Sequence, residues 1–178
     1  MTLFPDGSQA QRAVRMGELH TIRLDREGTV AGLQRILDET AAASISGLMV
    51  LSCDANGFTP HRLDPLLQSS PLPLFGGIFP RIILGDQLLE KGSVVVGLPD
   101  LSRVEFVADL SDPALDFEIQ LDQLITTARR DRTMMVFVDG FAPRINDFIE
   151  SLFNVFGLEI NYIGGGAGSL SMRQTPCL

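Results

Sequence analysis

Hydrophobic and polar positions alternate in two periods along this chain, and the switches between them outline an α/β protein. Leu19 to Leu24 alternates apolar and polar residues, as a half-buried strand does. From Thr29 the spacing becomes helical, with Val30, Leu33, Ile36 and Leu37 on one face to about Ala43. The Thr29 hydroxyl is placed to cap that helix. Gly47 to Ser52 is a continuous apolar strand, and Cys53 to Gly57 carries turn chemistry. Gln9–Met16 and Asp64–Gln68 read as short helices. Ser69 to Pro80 contains Gly76 and Gly77 inside an apolar run, so a strand with close backbone approach or a bulge is expected, bending at Pro80. Arg81–Leu84 and Ser93–Leu98 are further strands. Residues 103–110 alternate with one face nearly polar, which predicts a one-sided strand. Asp112 to Arg130 is a helix with Phe117, Leu121, Leu124, Ile125 and Ala128 on one face. Met134–Val138 is a buried strand. A second strong helix runs from about Pro143 with Ile145, Phe148, Ile149, Leu152 and Phe156 inward and Gly157 at C′. Glu159–Ile163 is a strand leading into the loop Gly164 to Gly168. Leu170 and Met172 suggest the start of another strand. No internal repeat and no low-complexity linker is evident in the pattern.

Two apolar strands without a polar face require cover on both sides, so the fold class is α/β. The expected architecture is a mixed, largely buried sheet or pair of sheets with helices packed outside, a layered sandwich and not a Rossmann dinucleotide fold. The chain has 178 residues, enough for one domain with a substantial core. Its formal net charge of −8 and pI near 4.6 argue against nonspecific binding to nucleic acid or an anionic membrane. No apolar run approaches the roughly 18 residues of a membrane span. The first thirty residues hold many charges and no apolar signal region, so a cytoplasmic location with free thiols at Cys53 and Cys177 is expected. Only 20% of residues are charged and the mean hydropathy is +0.20, so either the core is large or apolar surface is kept for another domain or subunit.

Three places can carry chemistry. In the run Gly164, Gly165, Gly166, Ala167, Gly168, Ser169 the four glycines lack Cβ atoms, so successive amides can converge on an anion, with the Ser169 hydroxyl beside them. The alternative is a strained crossover between strands. The run is a poor dinucleotide fingerprint, because no helix opens after the glycines, and no phosphate-binding Lys follows them. Asp139, with Gly140, ends a buried strand where open sheets collect ligands; it can bind a ligand amine or hydroxyl, or cap its own turn. Gly76 and Gly77 leave backbone bare, or form a plain bulge. Nucleophilic catalysis through Cys53 or a serine needs an adjacent base; His61 follows Cys53 by eight residues, and the pair could meet, but nothing in the spacing requires it. The two histidines, His20 and His61, are by themselves too few for a zinc site of the usual ligand count, and no cofactor is expected.

The ordered segments LMVLSCDANG (48–57), LFGGIFPRII (74–83), KGSVVVGL (91–98), MMVFVDG (134–140), FIESLFNVFG (148–157) and NYIGGGAGSLSMRQTPCL (161–178) resemble the N-terminal domain of the FIST (F-box and intracellular signal transduction) family. The resemblance covers most of the chain from about Thr29 and makes residues 1–178 a single such domain, cut before a companion C-terminal FIST domain. It implies a cytoplasmic prokaryotic sensory domain without catalytic residues that binds a small molecule, an amino acid or a derivative. It supplies no mapped ligand site. The site residues expected on physical grounds are Gly164, Gly165, Gly166, Gly168, Ser169, Asp139, Gly140, Gly76 and Gly77. The expected partners are a small ligand, the companion domain or a signalling protein, and a second copy of the chain. Two rival readings remain: a hydrolase or acyl-transfer enzyme using Cys53 or a serine, and a protein-interaction scaffold.

Overall fold

The computed structural model describes residues 21–101, 103–124 and 133–172. The expected helix Gln9–Met16, as well as Leu19, His20 and Cys177, lies outside the described residues. Four strands form the main sheet in the order β1 (Ile22–Asp25), β6 (Ser93–Leu98), β2 (Gly47–Cys53), β3 (Leu74–Phe79). β6 runs antiparallel to both β1 and β2, and β2 runs parallel to β3. A parallel pair needs a crossover. Here it is α2 (Pro60–Gln68), while α1 (Val30–Ala41) links β1 to β2.

Each face of the main sheet is covered. Leu48, Val50 and Val95 point to the helical side and bury against Leu33, Ile36 and Leu37 of α1, with Phe58 and Leu63. The alternate positions Cys53 and Val94 face a hairpin of β4 (Ile82–Leu84) and β5 (Gln87–Leu89), whose Ile82 and Leu89 close the second core. The period of two thus sorts the strands' apolar residues between two cores. The Thr29 hydroxyl accepts from the Gly32 amide at 3.0 Å, the cap expected of it. Gly32 is required there, because a Cβ would sit 2.4 Å from the buried Asp25 carboxylate. That carboxylate accepts from the Gly28 amide at 2.9 Å and holds the β1–α1 turn.

A second unit consists of α3 (Phe117–Leu124), β7 (Thr133–Asp139), α4 (Ile145–Phe156) and β8 (Asn161–Ala167). β7 and β8 pair in parallel, and α4 is their crossover. Phe117, Leu121, Val138, Phe148 and Leu152 make its core. Gly157 ends α4 with φ +77°, and the Tyr162 hydroxyl donates to its carbonyl at 2.8 Å, tying the turn to β8. The mixed α/β layering is the expected one.

Several expectations fail for identifiable reasons. Residues 103–110 form no strand. Alternation marks two faces but supplies no pairing partner, so Val107 and Leu110 pack on the core of the second unit while Phe106 remains 77% exposed. The helix expected from Asp112 begins at Phe117. Asp112 instead caps a turn by accepting from the Ala114 amide at 2.8 Å, a local bond that competes with helix. Residues 125–130 lie outside the described residues. The helix expected at Asp64 begins earlier, at Pro60, whose fixed φ suits a first turn. β5 went unnoticed in the sequence. Leu170 and Ser171 form a turn, not a strand.

The fold also contains a repeat that the pattern of apolar positions hides. Gly57-Phe58-Thr59-Pro60 and Gly140-Phe141-Ala142-Pro143 each link a parallel strand to its crossover helix. The strand that returns carries glycines in both cases. Gly76 pairs with Val50 in one unit, and Gly164 pairs with Val136 in the other. Different loop lengths between the shared segments keep a fixed-period search from finding it.

Candidate functional site

The two parallel pairs meet at their carboxyl ends. Phe137 of β7 packs against Phe75 and Phe79 of β3, with ring centroids 5.8 and 5.6 Å apart. The Gly168 amide donates to the Ile78 carbonyl at 2.8 Å, joining the end of β8 to the edge of β3. This edge gathers most of the expected site residues into one neighbourhood.

Gly164, Gly165 and Gly166 do not form the expected loop. They are the last part of β8, in register with Val136, Phe137 and Val138. An extended strand points successive amides in opposite directions, so they do not converge on one anion. All three are nevertheless exposed. Their need for glycine differs. A Cβ on Gly164 would lie 1.7 Å from the Val136 carbonyl oxygen, and one on Gly76 would lie 1.7 Å from that of Val50. Gly76 also has φ +149°. A Cβ on Gly165 would meet nothing within 4 Å. Gly77 pairs with Leu51 and is half-buried. Close strand approach therefore accounts for Gly76 and Gly164, while Gly165 presents bare main chain to solvent.

Asp139 ends β7 opposite Ala167. Its Oδ1 accepts from the Phe141 amide at 2.9 Å, so it caps its own turn. Gly140 donates to the Ala167 carbonyl at 2.7 Å and is exposed. Gly168 is buried against the Phe141 ring, where a Cβ would stand 2.8 Å from it.

Ser169 is 7% exposed, and its hydroxyl donates to Asp54 Oδ2 at 3.1 Å. The Leu170 amide donates to the same oxygen at 3.1 Å. Ser171 donates its amide to Ser169 Oγ at 3.0 Å. Asp54 and Ser171 were missed as site residues. The only signal for Asp54 was its place at the end of a buried strand, the same signal that singled out Asp139.

The other candidates are less suited to chemistry. Cys53 is fully buried, and its thiol donates to the Leu89 carbonyl at 3.4 Å. Burial pushes the thiol above its ordinary pKa, only partly opposed by a backbone hydrogen bond at Ile82. A catalytic thiol needs the reverse. His61 is exposed on α2. An open cleft of about 410 Å³ lies beside the first turns of α3 and α4, lined by residues 114–118 with Arg144, Asp147 and Ser151. Arg144 is committed to structure there: it donates to the Leu115 carbonyl at 2.9 Å and to Asp112, pairs with Asp147 at 2.9 Å and lies over the Phe117 ring. Among the described residues there is no His/Cys/Asp/Glu group able to hold a metal, and no helix long and apolar enough to cross a membrane.

Comparison with curated proteins and with solved structures found no match. The family model of the FIST N domain matches residues 47–178, a span that holds both parallel pairs and the junction between them. The chain therefore belongs to the FIST N domain family, a family of sensory domains in signal transduction.

Proposed function

We propose that this chain is a non-catalytic cytoplasmic sensor that binds a small amphoteric metabolite, an amino acid or derivative, where its two parallel strand pairs meet. The carrying observation is the convergence of donors and acids at that junction. The Ser169 hydroxyl and Leu170 amide already hold a carboxylate there, and Asp139 stands two residues away across the β7–β8 ladder. Backbone donors recognise the carboxylate of such a ligand, and an acid recognises its ammonium. Gly165, Gly166 and Gly140 leave the approach free of side chains. Gly164, Gly168, Gly76 and Gly77 let the strands come close enough to build the junction.

The output surface in this reading is the outer face of β7 and β8. Met135 and Ile163 are register partners there, 40% and 57% exposed. A companion domain, a signalling protein or a second copy would sense a change in the junction through that face.

The test is a thermal-shift screen of amino acids and related carboxylic acids on the chain. Stabilisation by one of them that is lost in Gly165→Val, which fills open space, and in Asp139→Ala supports the reading. A ligand whose binding survives both substitutions refutes this site. Turnover of any screened compound refutes the non-catalytic role.

A further inference from the structure

Asp54 owes its position to a difference between the two repeated units. In the second unit Asp139 is followed directly by Gly140 of the shared Gly-Phe-X-Pro segment. In the first, a short 3-10 turn, Asp54–Asn56, separates β2 from the equivalent Gly57. Asn56 anchors that turn: its Nδ2 donates to the Gly92 carbonyl at 2.8 Å, and its Oδ1 accepts from the Gly92 amide at 2.8 Å. Asp139 spends a carboxylate oxygen on its own turn, whereas Asp54 reaches across 115 residues of sequence to Ser169. Both of its hydrogen bonds end on a single oxygen, Oδ2, and both donors are neutral. Among the described residues no cation pairs with it. The donors themselves are organised. Ser169 is buried although its neighbours Leu170 and Ser171 are exposed, its oxygen is held by the Ser171 amide, and its one proton has two acceptors in reach, Asp54 Oδ2 at 3.1 Å and Ser171 Oγ at 2.9 Å.

We propose that the turn 169–171 is a carboxylate receptor occupied at rest by the chain's own Asp54, and that a ligand carboxylate binds by displacing it. The inference rests on the sensory reading above and deepens it. It names the ligand group recognised and the contact broken on binding. Displacement removes the side-chain tie between the two units and leaves the Gly168–Ile78 backbone bond and the phenylalanine contacts as the hinge. Binding is then coupled to the relative freedom of the units, with Asp54 as the internal competitor. A tethered competitor acts at an effective concentration of order millimolar. Removing it therefore opens the site to a free carboxylate.

The test is chemical rescue with acetate and formate, with chloride at equal ionic strength as control. Asp54→Ala is expected to melt at lower temperature than the wild type. Acetate or formate at tens of millimolar is expected to restore the melting temperature, and Ser169→Ala added to Asp54→Ala is expected to abolish the rescue. If Asp54→Ala does not fold, Asp54→Asn keeps the side-chain shape without the charge and takes the same titration. Absence of rescue in the folded variant, rescue by chloride to the same extent, or rescue that persists without the Ser169 hydroxyl each overturns the receptor. The two readings fail separately. Rescue with no amino acid ligand found for the wild type supports the receptor and removes only the ligand identity. Amino acid binding by the wild type with no rescue of the variant overturns the receptor alone.

Discussion

Adding one methyl group at Gly164 separates a structural role for the glycines of β8 from a ligand-binding one. The Cβ would stand 1.7 Å from the Val136 carbonyl oxygen and 2.6 Å from its carbonyl carbon. Both atoms belong to the neighbouring backbone, so no side-chain rotation relieves the contact. The strands of a pair lie about 4.8 Å apart, and relief requires opening that spacing locally. Overpacking costs about 1–3 kcal/mol where side chains can adjust, and lost ladder hydrogen bonds add about 1 kcal/mol each. Gly164→Ala should therefore cost roughly 3 kcal/mol. For a chain of this size that lowers the melting temperature by about 6–12 °C. Gly76→Ala should behave alike, since its Cβ would meet the Val50 carbonyl oxygen at the same 1.7 Å. Gly165→Ala, with nothing within 4 Å of the added carbon, should stay within about 0.5 kcal/mol of the wild type. Thermal melts followed by circular dichroism, with urea titrations to confirm an unchanged m-value, measure all three. Equal melting temperatures for Gly164→Ala and Gly165→Ala would refute the close-approach argument.

Two further predictions follow from single side chains. Burial raises the Cys53 thiol pKa in the folded chain, so the unfolded chain loses that proton first. The stability this contributes is complete below the unfolded value of about 8.5 and is lost as pH rises from there through the folded value. Urea midpoints between pH 7 and pH 10 should fall more steeply for the wild type than for Cys53→Ala; equal slopes would refute the assignment. Arg144→Ala removes hydrogen bonds to the Leu115 and Asp112 carbonyls and the contact over Phe117, and should cost about 2 kcal/mol. Arg144→Lys should recover less than half of that, because an ammonium cannot reproduce the planar fork. Full recovery in the denaturation midpoint would show that charge alone matters.

Features set by local chemistry were legible in the sequence. The Thr29 cap, the stripe of Phe148 and Leu152, and Gly157 at the end of α4 each depend on residues within a turn or two of one another. The features that were missed depend on a partner elsewhere. The alternation at 103–110 is as regular as that of many strands, yet among the described residues no strand pairs with it. Gly164–Gly166 read as a loop because glycine is poor in strands. The tertiary reason for glycine, a carbonyl of β7 in the space a side chain would occupy, is invisible until the register is known. Asp139 and Asp54 carried the same local signal, a carboxylate at the end of a buried strand. Their partners distinguish them: Asp139 accepts from its own turn, and Asp54 accepts from Ser169 and Leu170.

The repeat changes how the glycines should be weighed as functional residues. If Gly76 and Gly164 occupy the same register in two units and each would collide with the carbonyl of a paired valine, their presence is explained by the architecture that both units share. A shared requirement cannot specify a ligand that binds once, at the junction. Specificity must come from what the units do not share. The main difference at the carboxyl edge is the turn Asp54–Asn56, which carries an acid from the first unit into the donors of the second. Deleting the turn so that β2 runs directly into Gly57, as β7 runs into Gly140, would make the two units alike. Such a variant should keep both parallel pairs and lose the contact with Ser169 and Leu170. Amide exchange at Leu170 should then rise well above that of the wild type, while exchange along β2 and β7 stays slow. Unchanged protection at Leu170 would mean that Asp54 does not hold the turn, and the asymmetry would lose its functional meaning.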